Sequence, residues 1–138
     1  MNPHIQVRDY MLHDTPVIYG NTSLSKTTEI LCDHNLIGLP VVDQNKKLIG
    51  FISEQDCIHK LLTSSYHCDI DLTAHDVMRT EVLTVSPGDS IIELAGDMQN
   101  NKPKIYPVIE EEKLLGIINR TQILKALREN LQSCQVPV

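Results

Sequence analysis

The chain contains no tryptophan, one phenylalanine and four tyrosines in 138 residues, so its core must be built from aliphatic side chains. It also lacks an apolar run of the roughly 20 residues that a membrane-spanning helix needs. Its first residues do not combine the basic and apolar segments that are typical of a secretory signal. We therefore expect a soluble, cytoplasmic protein that does not insert into a membrane.

Basic residues are in the minority. The 12 lysines and arginines are outnumbered by 18 aspartates and glutamates, which gives a formal net charge of −6. Nucleic acids and anionic membrane surfaces are bound by clustered cations. The composition therefore predicts no nucleic-acid partner and no membrane partner.

The four cysteines and six histidines do not have the spacing of a metal site. No Cys-x-x-Cys pair occurs. Cys57 falls on the predicted buried face of a helix, where a free thiol packs like a small apolar side chain. We expect reduced thiols and no bound metal.

Catalytic motifs are also missing. Residues 20–27 nearly fit a phosphate-binding loop, but Ser25 stands where the second glycine is required. His34 and His75 have no serine or cysteine partner in a recognisable catalytic order. We therefore expect no catalytic residues and no enzymatic activity.

Comparison of the chain with itself shows an internal sequence repeat with two copies. Apolar residues, glycines and prolines recur at matched positions, among them Ile18 with Val85, Leu24 with Ile91, Pro40–Val42 with Pro107–Ile109, and Leu48–Ile52 with Leu114–Ile118. We therefore place one repeat at residues 5–62 and a second at 74–132, joined by the polar linker 63–73.

Each repeat predicts the order β-α-β-β-α after a short helical lead-in, at about 6–12 and 74–79. An extended segment ends near Ile18 or Val85. Helices then begin at the N-caps Ser23 and Asp89 and run to about Asn35 and Asn101. The remaining strands and closing helices are predicted at 39–43, 48–53 and 54–62, and at 106–110, 114–118 and 120–132.

One unit of this size cannot cover both faces of its own sheet. We therefore expect an α/β (α+β) fold in which the two repeats pack with pseudo-two-fold symmetry. The cleft between them is the expected ligand site.

The patterns h-x-D-x-M, L-P-V-V-D and L-I-G-F-I-S-x-x-D, in this order and repeated, resemble the CBS motif. The pair resembles a tandem CBS-domain pair, or Bateman module, over about residues 5–131. The resemblance implies a regulatory module that senses AMP, ADP, ATP or another adenosine derivative and needs no cofactor. It also implies association with a regulated enzyme or transporter. The alternative is a structural or dimerisation module that no longer binds ligand.

Ser53 and Asp56 are the leading candidate binding residues. A Ser-x-x-Asp sequence at a helix start is close to a capping box, which is a purely structural role. A carboxylate in the first helical turn can also accept the hydroxyls of a ribose, and the resemblance implies this role. The two roles do not exclude each other.

The second repeat carries Asn119, Arg120 and Gln122 at the matched positions. Asn119 and Gln122 keep the capping chemistry, but Gln122 is a weaker partner for a diol than a carboxylate. Arg120 and Lys104 would suit phosphates, or are solvated surface charges. We expect the Ser53/Asp56 site to bind ribose better than its counterpart.

The resemblance also implies an apolar lining for the adenine. It would come from Pro16, Val17 and Val82 in the extended segments, and from Ile37, Gly38, Leu39 and Pro40 with Ile105, Tyr106 and Pro107 at the matched strands. Tyr106 could stack on a base or fill the core.

The closing helices carry more apolar residues than one buried face requires: Ile58, Leu61 and Leu62 in the first repeat, and Ile123, Leu124, Leu127 and Leu131 in the second. Such a stripe is typical of a partner surface. We therefore expect a homodimer.

Overall fold

The computed structural model describes residues 4–64, 71–99 and 102–133. The strands are β1 (Ile18–Tyr19), β2 (Gly38–Val42), β3 (Leu48–Ser53), β4 (Ile105–Glu110) and β5 (Lys113–Asn119). The helices are α1 (Leu24–Asp33), α2 (Glu54–Ser64), α3 (Ala74–Val77), α4 (Ile91–Asp97) and α5 (Arg120–Ser133), with a 3-10 turn at Val7–Asp9. None of the described helices is both long and apolar enough to cross a membrane.

The first repeat forms a three-stranded sheet in the order β1-β2-β3. Strand β1 runs parallel to β2, and β2 pairs antiparallel with β3 in a register that sets Leu39 opposite Ile52. All five residues of β2 are buried, as expected for a central strand covered on both faces. Its C-terminal turn is closed by Asp43, whose Oδ1 accepts from the backbone N–H groups of Asn45 and Lys47.

The second repeat has the same arrangement, but its sheet has two strands and not three. Strands β4 and β5 pair as a two-stranded sheet. Val85 forms a parallel bridge with Val108, which corresponds to the pairing of Ile18 with Val41 in the first repeat. The predicted β-α-β-β-α order and the mixed α/β class are therefore confirmed for both repeats.

Helix α1 shows why the sequence folds this way locally. Ser23 Oγ accepts from the backbone N–H of Lys26, so the predicted N-cap is confirmed. Leu24, Thr27 and Leu31 form its buried face, at the spacing of a single helical stripe. The helix is followed by Asn35 with a φ of 52°, a left-handed conformation common just after helix ends.

Two compact units result, and each is discontinuous in sequence. The first unit combines Pro16–Val82 with Glu112–Leu114. The second combines the N-terminal segment up to Thr15 with Leu83–Glu111 and the chain from Leu115 onward. Each lead-in segment thus belongs to the compact unit of the other repeat.

Backbone pairing fixes each lead-in. Leu12 and Ile117 exchange two backbone hydrogen bonds of 2.8 and 3.0 Å, and Arg79 and Phe51 exchange two of 2.8 and 2.9 Å. Gly116 makes the first pairing sterically possible, because a Cβ there would lie 2.2 Å from the Leu12 carbonyl oxygen.

Residues Glu112–Leu114 join the first unit through the turn before β3. Leu48 N–H donates to the Glu112 carbonyl over 3.2 Å, and Leu114 N–H donates to the Lys46 carbonyl over 2.9 Å. Lys47 Nζ adds an exposed ion pair of 3.4 Å with Glu112. Strand β5 therefore begins in one unit and continues in the other.

Each unit has its own aliphatic core, as the near-absence of aromatic residues predicts. The core of the first unit contains Ile18, Leu24, Leu31, Leu39, Val41, Ile52, Cys57 and Ala74. The core of the second contains Ile5, Val7, Met11, Val85, Ile91, Leu94, Tyr106, Val108, Ile118, Ile123 and Ala126.

Helix α4 differs from its prediction at both ends. Its N-cap is Ser90, whose Oγ accepts from the Glu93 N–H, and not Asp89. Asp89 instead accepts from the Ser86 N–H and closes the turn over Pro87. The helix ends at Asp97 and not near Asn101, which itself lies outside the described residues.

Other boundaries are also corrected. The lead-ins are shorter than predicted, at Val7–Asp9 and Ala74–Val77. Helix α2 continues to Ser64, into the predicted linker, whose residues 65–70 lie outside the described part of the chain.

Candidate functional site

The junction between β3 and α2 carries the leading candidate pair. Ser53 N–H and Ser53 Oγ both donate to Asp56 Oδ2, over 3.0 and 2.8 Å. Ser53 Oγ in turn accepts from the Asp56 N–H over 3.1 Å. The capping role expected of Ser53 and Asp56 is therefore present.

Arg79 completes the surroundings of this carboxylate. Arg79 Nε donates to Asp56 Oδ1 over 3.1 Å, with the Asp56 side chain 14% exposed and that of Arg79 66% exposed. The Arg79 backbone is fixed by its pairing with Phe51 in β3. A largely buried carboxylate is thus neutralised by a cation that reaches it from solvent.

A cavity of about 390 Å³ opens beside this pair in the first unit. It is lined by Gln55, Asp56, His59, Lys60, Asp76, Val77 and Arg79. Of the binding residues predicted from sequence, Asp56 is the one that this lining contains. His59 and Lys60 follow Asp56 by three and four residues, which places them on the same face of α2.

Asp76 contributes the second carboxylate of the cavity and caps α3. Its Oδ2 accepts from Thr73 N–H over 2.8 Å and from Thr73 Oγ1 over 3.2 Å. The backbone bond from Thr73, then the hydroxyl bond, hold the pKa of Asp76 below its ordinary value. One oxygen of Asp56 and one of Asp76 therefore accept hydrogen bonds within helix caps, from Ser53 and Thr73 respectively.

The matched junction of the second repeat is occupied differently. Asn119 Oδ1 accepts from the Gln122 N–H over 2.9 Å, so the capping role is kept. Gln122 Nε2 donates to the Tyr10 carbonyl over 2.7 Å. The amide nitrogen of this predicted ribose partner therefore holds the N-terminal lead-in.

The two predicted cations of that repeat, Lys104 and Arg120, are exposed. Arg120 N–H donates to the Lys104 carbonyl over 3.2 Å. The equivalent bond in the first repeat joins Glu54 N–H to the Ile37 carbonyl over 2.9 Å. In both repeats, the first residue of the closing helix is therefore bonded to the residue just before β2 or β4.

The predicted apolar lining is distributed between core and surface. Gly38, Leu39 and Pro40 are buried in β2, and Ile105, Tyr106 and Pro107 are buried in β4. Pro16, Val17 and Val82 are half-buried, and Ile37 is exposed. Tyr106 is 4% exposed within the second unit's core, and burial raises its pKa, which matches the core alternative.

The thiol of Cys57 is buried as predicted. Burial first, and the nearby charge of Asp56 second, raise its pKa to about 11. Within residues 4–64, 71–99 and 102–133, no three histidine, cysteine or acidic side chains group as metal ligands would.

Known proteins share this architecture. The CBS domain family profile matches residues 7–63 and 74–129. An uncharacterized protein of Methanocaldococcus jannaschii is 32% identical over 126 residues, which is 91% of this chain and 40% of that protein. The chain spans about two fifths of the length of the first curated relatives that it matches.

Two solved structures with bound ligands are also similar. CBSX2 in complex with AMP matches with a TM-score of 0.80 and 25% identity, covering 91% of this chain and 98% of that one. The CBS domain pair of protein MJ0100, in complex with 5′-methylthioadenosine and S-adenosyl-L-methionine, matches with a TM-score of 0.73 and 25% identity, covering 93% and 99%.

Proposed function

The chain belongs to the CBS domain family, and on that premise we propose that it is a regulatory module that binds an adenosine-containing ligand through Ser53 and Asp56. The observation that carries the proposal is the Asp56 carboxylate, which is 14% exposed and lines a cavity. A partly dry carboxylate is a strong acceptor for hydroxyl groups. The ligands of CBSX2 and of protein MJ0100 support an adenosine-containing molecule as the class.

The proposed binding mode places the ribose hydroxyls on Asp56, with the Ser53 hydroxyl as a second polar partner. Ile37 and the half-buried Pro16, Val17 and Val82 are the apolar side chains proposed to contact the adenine. The second repeat is proposed as the weaker half, because its Gln122 amide already donates to Tyr10.

Thermal unfolding in the presence of AMP, ADP, ATP, S-adenosylmethionine and NAD tests this function. A ligand at 100 times its dissociation constant adds about 2.7 kcal/mol to the free energy of unfolding, a shift of several degrees for a domain of this size. Stabilisation that disappears in Asp56→Asn supports the assignment. An unchanged melting temperature with all five ligands contradicts it.

A second candidate function is dimerisation. Helix α2 exposes Ile58 at 56%, Leu61 at 45% and Leu62 at 67%, and α5 exposes Leu124 at 66% and Leu131 at 60%. Apolar side chains grouped on a helix face favour a partner surface. We propose that this partner is a second copy of the chain, and that the assembly regulates an enzyme or transporter.

Two residues of the predicted stripe do not belong to that surface. Ile123 is buried in the core at 4% exposure, and Leu127 packs against the same core. The exposed surface of α5 is therefore narrower than the sequence predicts.

A further inference from the structure

We propose that Arg79 is a displaceable counter-ion of Asp56. A ribose takes the place of Arg79 on the carboxylate, and the released guanidinium, together with Lys60, binds the 5′-phosphate of the same ligand. This inference rests on the proposed function and narrows its ligand class to nucleoside 5′-phosphates.

The acceptor capacity of Asp56 is the first argument. An ionised carboxylate offers about four acceptor positions. Ser53 occupies two of them on Oδ2, and Arg79 Nε occupies a third on Oδ1. A ribose diol presents two hydroxyl donors, so one bound group must leave before both can be accepted.

Arg79 is the group that can leave. The two bonds from Ser53 to Asp56 belong to the cap that begins α2, and breaking them leaves the Ser53 N–H and hydroxyl without their acceptor. The Arg79 side chain is 66% exposed, so its guanidinium stays hydrated when it leaves, and the ribose hydroxyls then take its place on the largely buried Asp56 carboxylate. Its backbone pairing with Phe51 keeps Arg79 at the cavity after the ion pair breaks.

Two cations in the lining of the cavity are the third argument. Asp56 and Asp76 direct oxygens to Ser53 and Thr73. Lys60 forms no ion pair with a carboxylate of the described residues, although, after the hydrogen bonds from Thr73, its charge helps to lower the pKa of Asp76. The lining holds two cations, Lys60 and Arg79, and a diol that displaces Arg79 from Asp56 leaves both of them available to a phosphate.

The spacing fits one ligand. Asp56 and Lys60 are four residues apart on α2, so their Cβ atoms lie about 5–6 Å apart on one face. A nucleoside 5′-phosphate carries its diol and its phosphate on the same ribose ring. The cavity volume of about 390 Å³ lies in the range of small-molecule sites, about 300–1,000 Å³.

Calorimetric titration of the full chain with adenosine and with AMP tests the exchange. Arg79→Ala should weaken AMP by roughly tenfold or more, because a charge-assisted hydrogen bond to phosphate is lost. The same variant should bind adenosine up to about fivefold more tightly, because the competitor for Asp56 is gone. Opposite signs for the two ligands are the signature of displacement.

Two further variants sharpen the test. Lys60→Ala should weaken AMP and leave adenosine unchanged, because adenosine has no phosphate. Lys26→Ala is the matched control, since it removes one exposed positive charge on α1 outside the cavity, and it should change neither affinity by more than about twofold. Thermal unfolding of each variant verifies that it folds. If Arg79→Ala does not fold, Arg79→Lys replaces it in the titrations.

Asp56→Asn separates failure of the inference from failure of the proposed function. If Asp56→Asn weakens both ligands but Arg79→Ala changes both in the same direction, displacement is wrong and the ribose site stands. If Asp56→Asn leaves both affinities unchanged, or neither ligand binds the unmodified chain, the proposed function is wrong and the inference falls with it.

Discussion

Gln122 Nε2 donates to the carbonyl oxygen of Tyr10 over 2.7 Å, although the two residues are separated by most of the chain. Asp56, the matched residue of the first repeat, instead accepts from Ser53 and Arg79. The same repeat position therefore holds the lead-in of the second unit through Gln122, and in the first unit it carries a carboxylate paired with Arg79. The two repeats are unequal for this reason.

The first prediction follows from that inequality. Asp56→Asn should reduce affinity for an adenine nucleotide by about 1.5–3 kcal/mol, or roughly 10- to 150-fold, because a charged acceptor is lost from a largely buried position. Gln122→Ala should leave affinity nearly unchanged and lower the free energy of unfolding by about 0.5–1.5 kcal/mol. Calorimetry and thermal unfolding of both variants measure this. The reverse pattern would place the working site in the second repeat.

A second prediction concerns the close approach of Leu12 to β5. Gly116→Ala should destabilise the chain by about 1–3 kcal/mol, because its Cβ would lie 2.2 Å from the Leu12 carbonyl oxygen and force Leu12 away from β5. Gly96→Ala is the matched control: beyond the α4 backbone and its chain neighbours, no described atom lies within 4 Å of the Gly96 Cβ position, and the change should stabilise by about 0.5–1 kcal/mol. Chemical denaturation gives both values, and equal signs would contradict the steric argument.

A third prediction tests assembly. Sedimentation should show a dimer at tens of micromolar, an order-of-magnitude range for weak association. Leu62→Glu and Leu124→Glu should shift it to monomer, because each places a charge on the exposed apolar face of α2 or α5. Leu83→Glu, which alters a 54% exposed leucine outside both helices, should leave the dimer intact. If the unmodified chain sediments as a monomer at this concentration, the dimer proposal is wrong.

A fourth prediction concerns thiol reactivity. The pKa of Cys57 is about 11, so at pH 8 only about one thiol in a thousand is the reactive thiolate. Cys32 is exposed and should be alkylated by iodoacetamide much faster. Peptide mapping by mass spectrometry after timed labelling distinguishes them. Denatured chain, in which both react at similar rates, is the control.

A fifth prediction concerns acid. The folded-state pKa of Asp76 is below its ordinary value of 3.8, so its ionised form stabilises the fold above that pH. This contribution is lost as the pH falls below 3.8 through the folded-state value. Asp76→Asn should therefore show a smaller drop in melting temperature between pH 5 and pH 3 than the unmodified chain. An identical drop in both would show that Asp76 is not coupled to folding.

The sequence predicts the local features well, because they depend on neighbouring residues. The Ser23 cap, the buried stripe of α1 and the Ser53–Asp56 box are all contacts within one helical turn. The wrong prediction of Asp89 as the N-cap of α4 is also a local matter, displaced by one residue. Ser90 and Asp89 are both good N-caps, and the Asp89 carboxylate is bound instead by the Ser86 N–H.

Contacts that are distant in sequence escape this kind of reasoning. Nothing near Arg79 indicates that it meets Asp56, and nothing near Gln122 indicates Tyr10, because both contacts depend on where the lead-ins pair. Lys60 is different, since its four-residue spacing from Asp56 already places it on the same helix face. That spacing is the signal that sequence reasoning missed.

The exchanged lead-ins have a consequence for synthesis of the chain. Leu12 pairs with Ile117, so the N-terminal segment leaves the ribosome long before its partner strand exists. At about 5–20 residues per second, it waits on the order of ten seconds. During that time Val7 and Met11, both buried in the finished second unit, have no core to enter. We expect most of the first unit to fold earlier, and the second to be completed only after β5 has been synthesised.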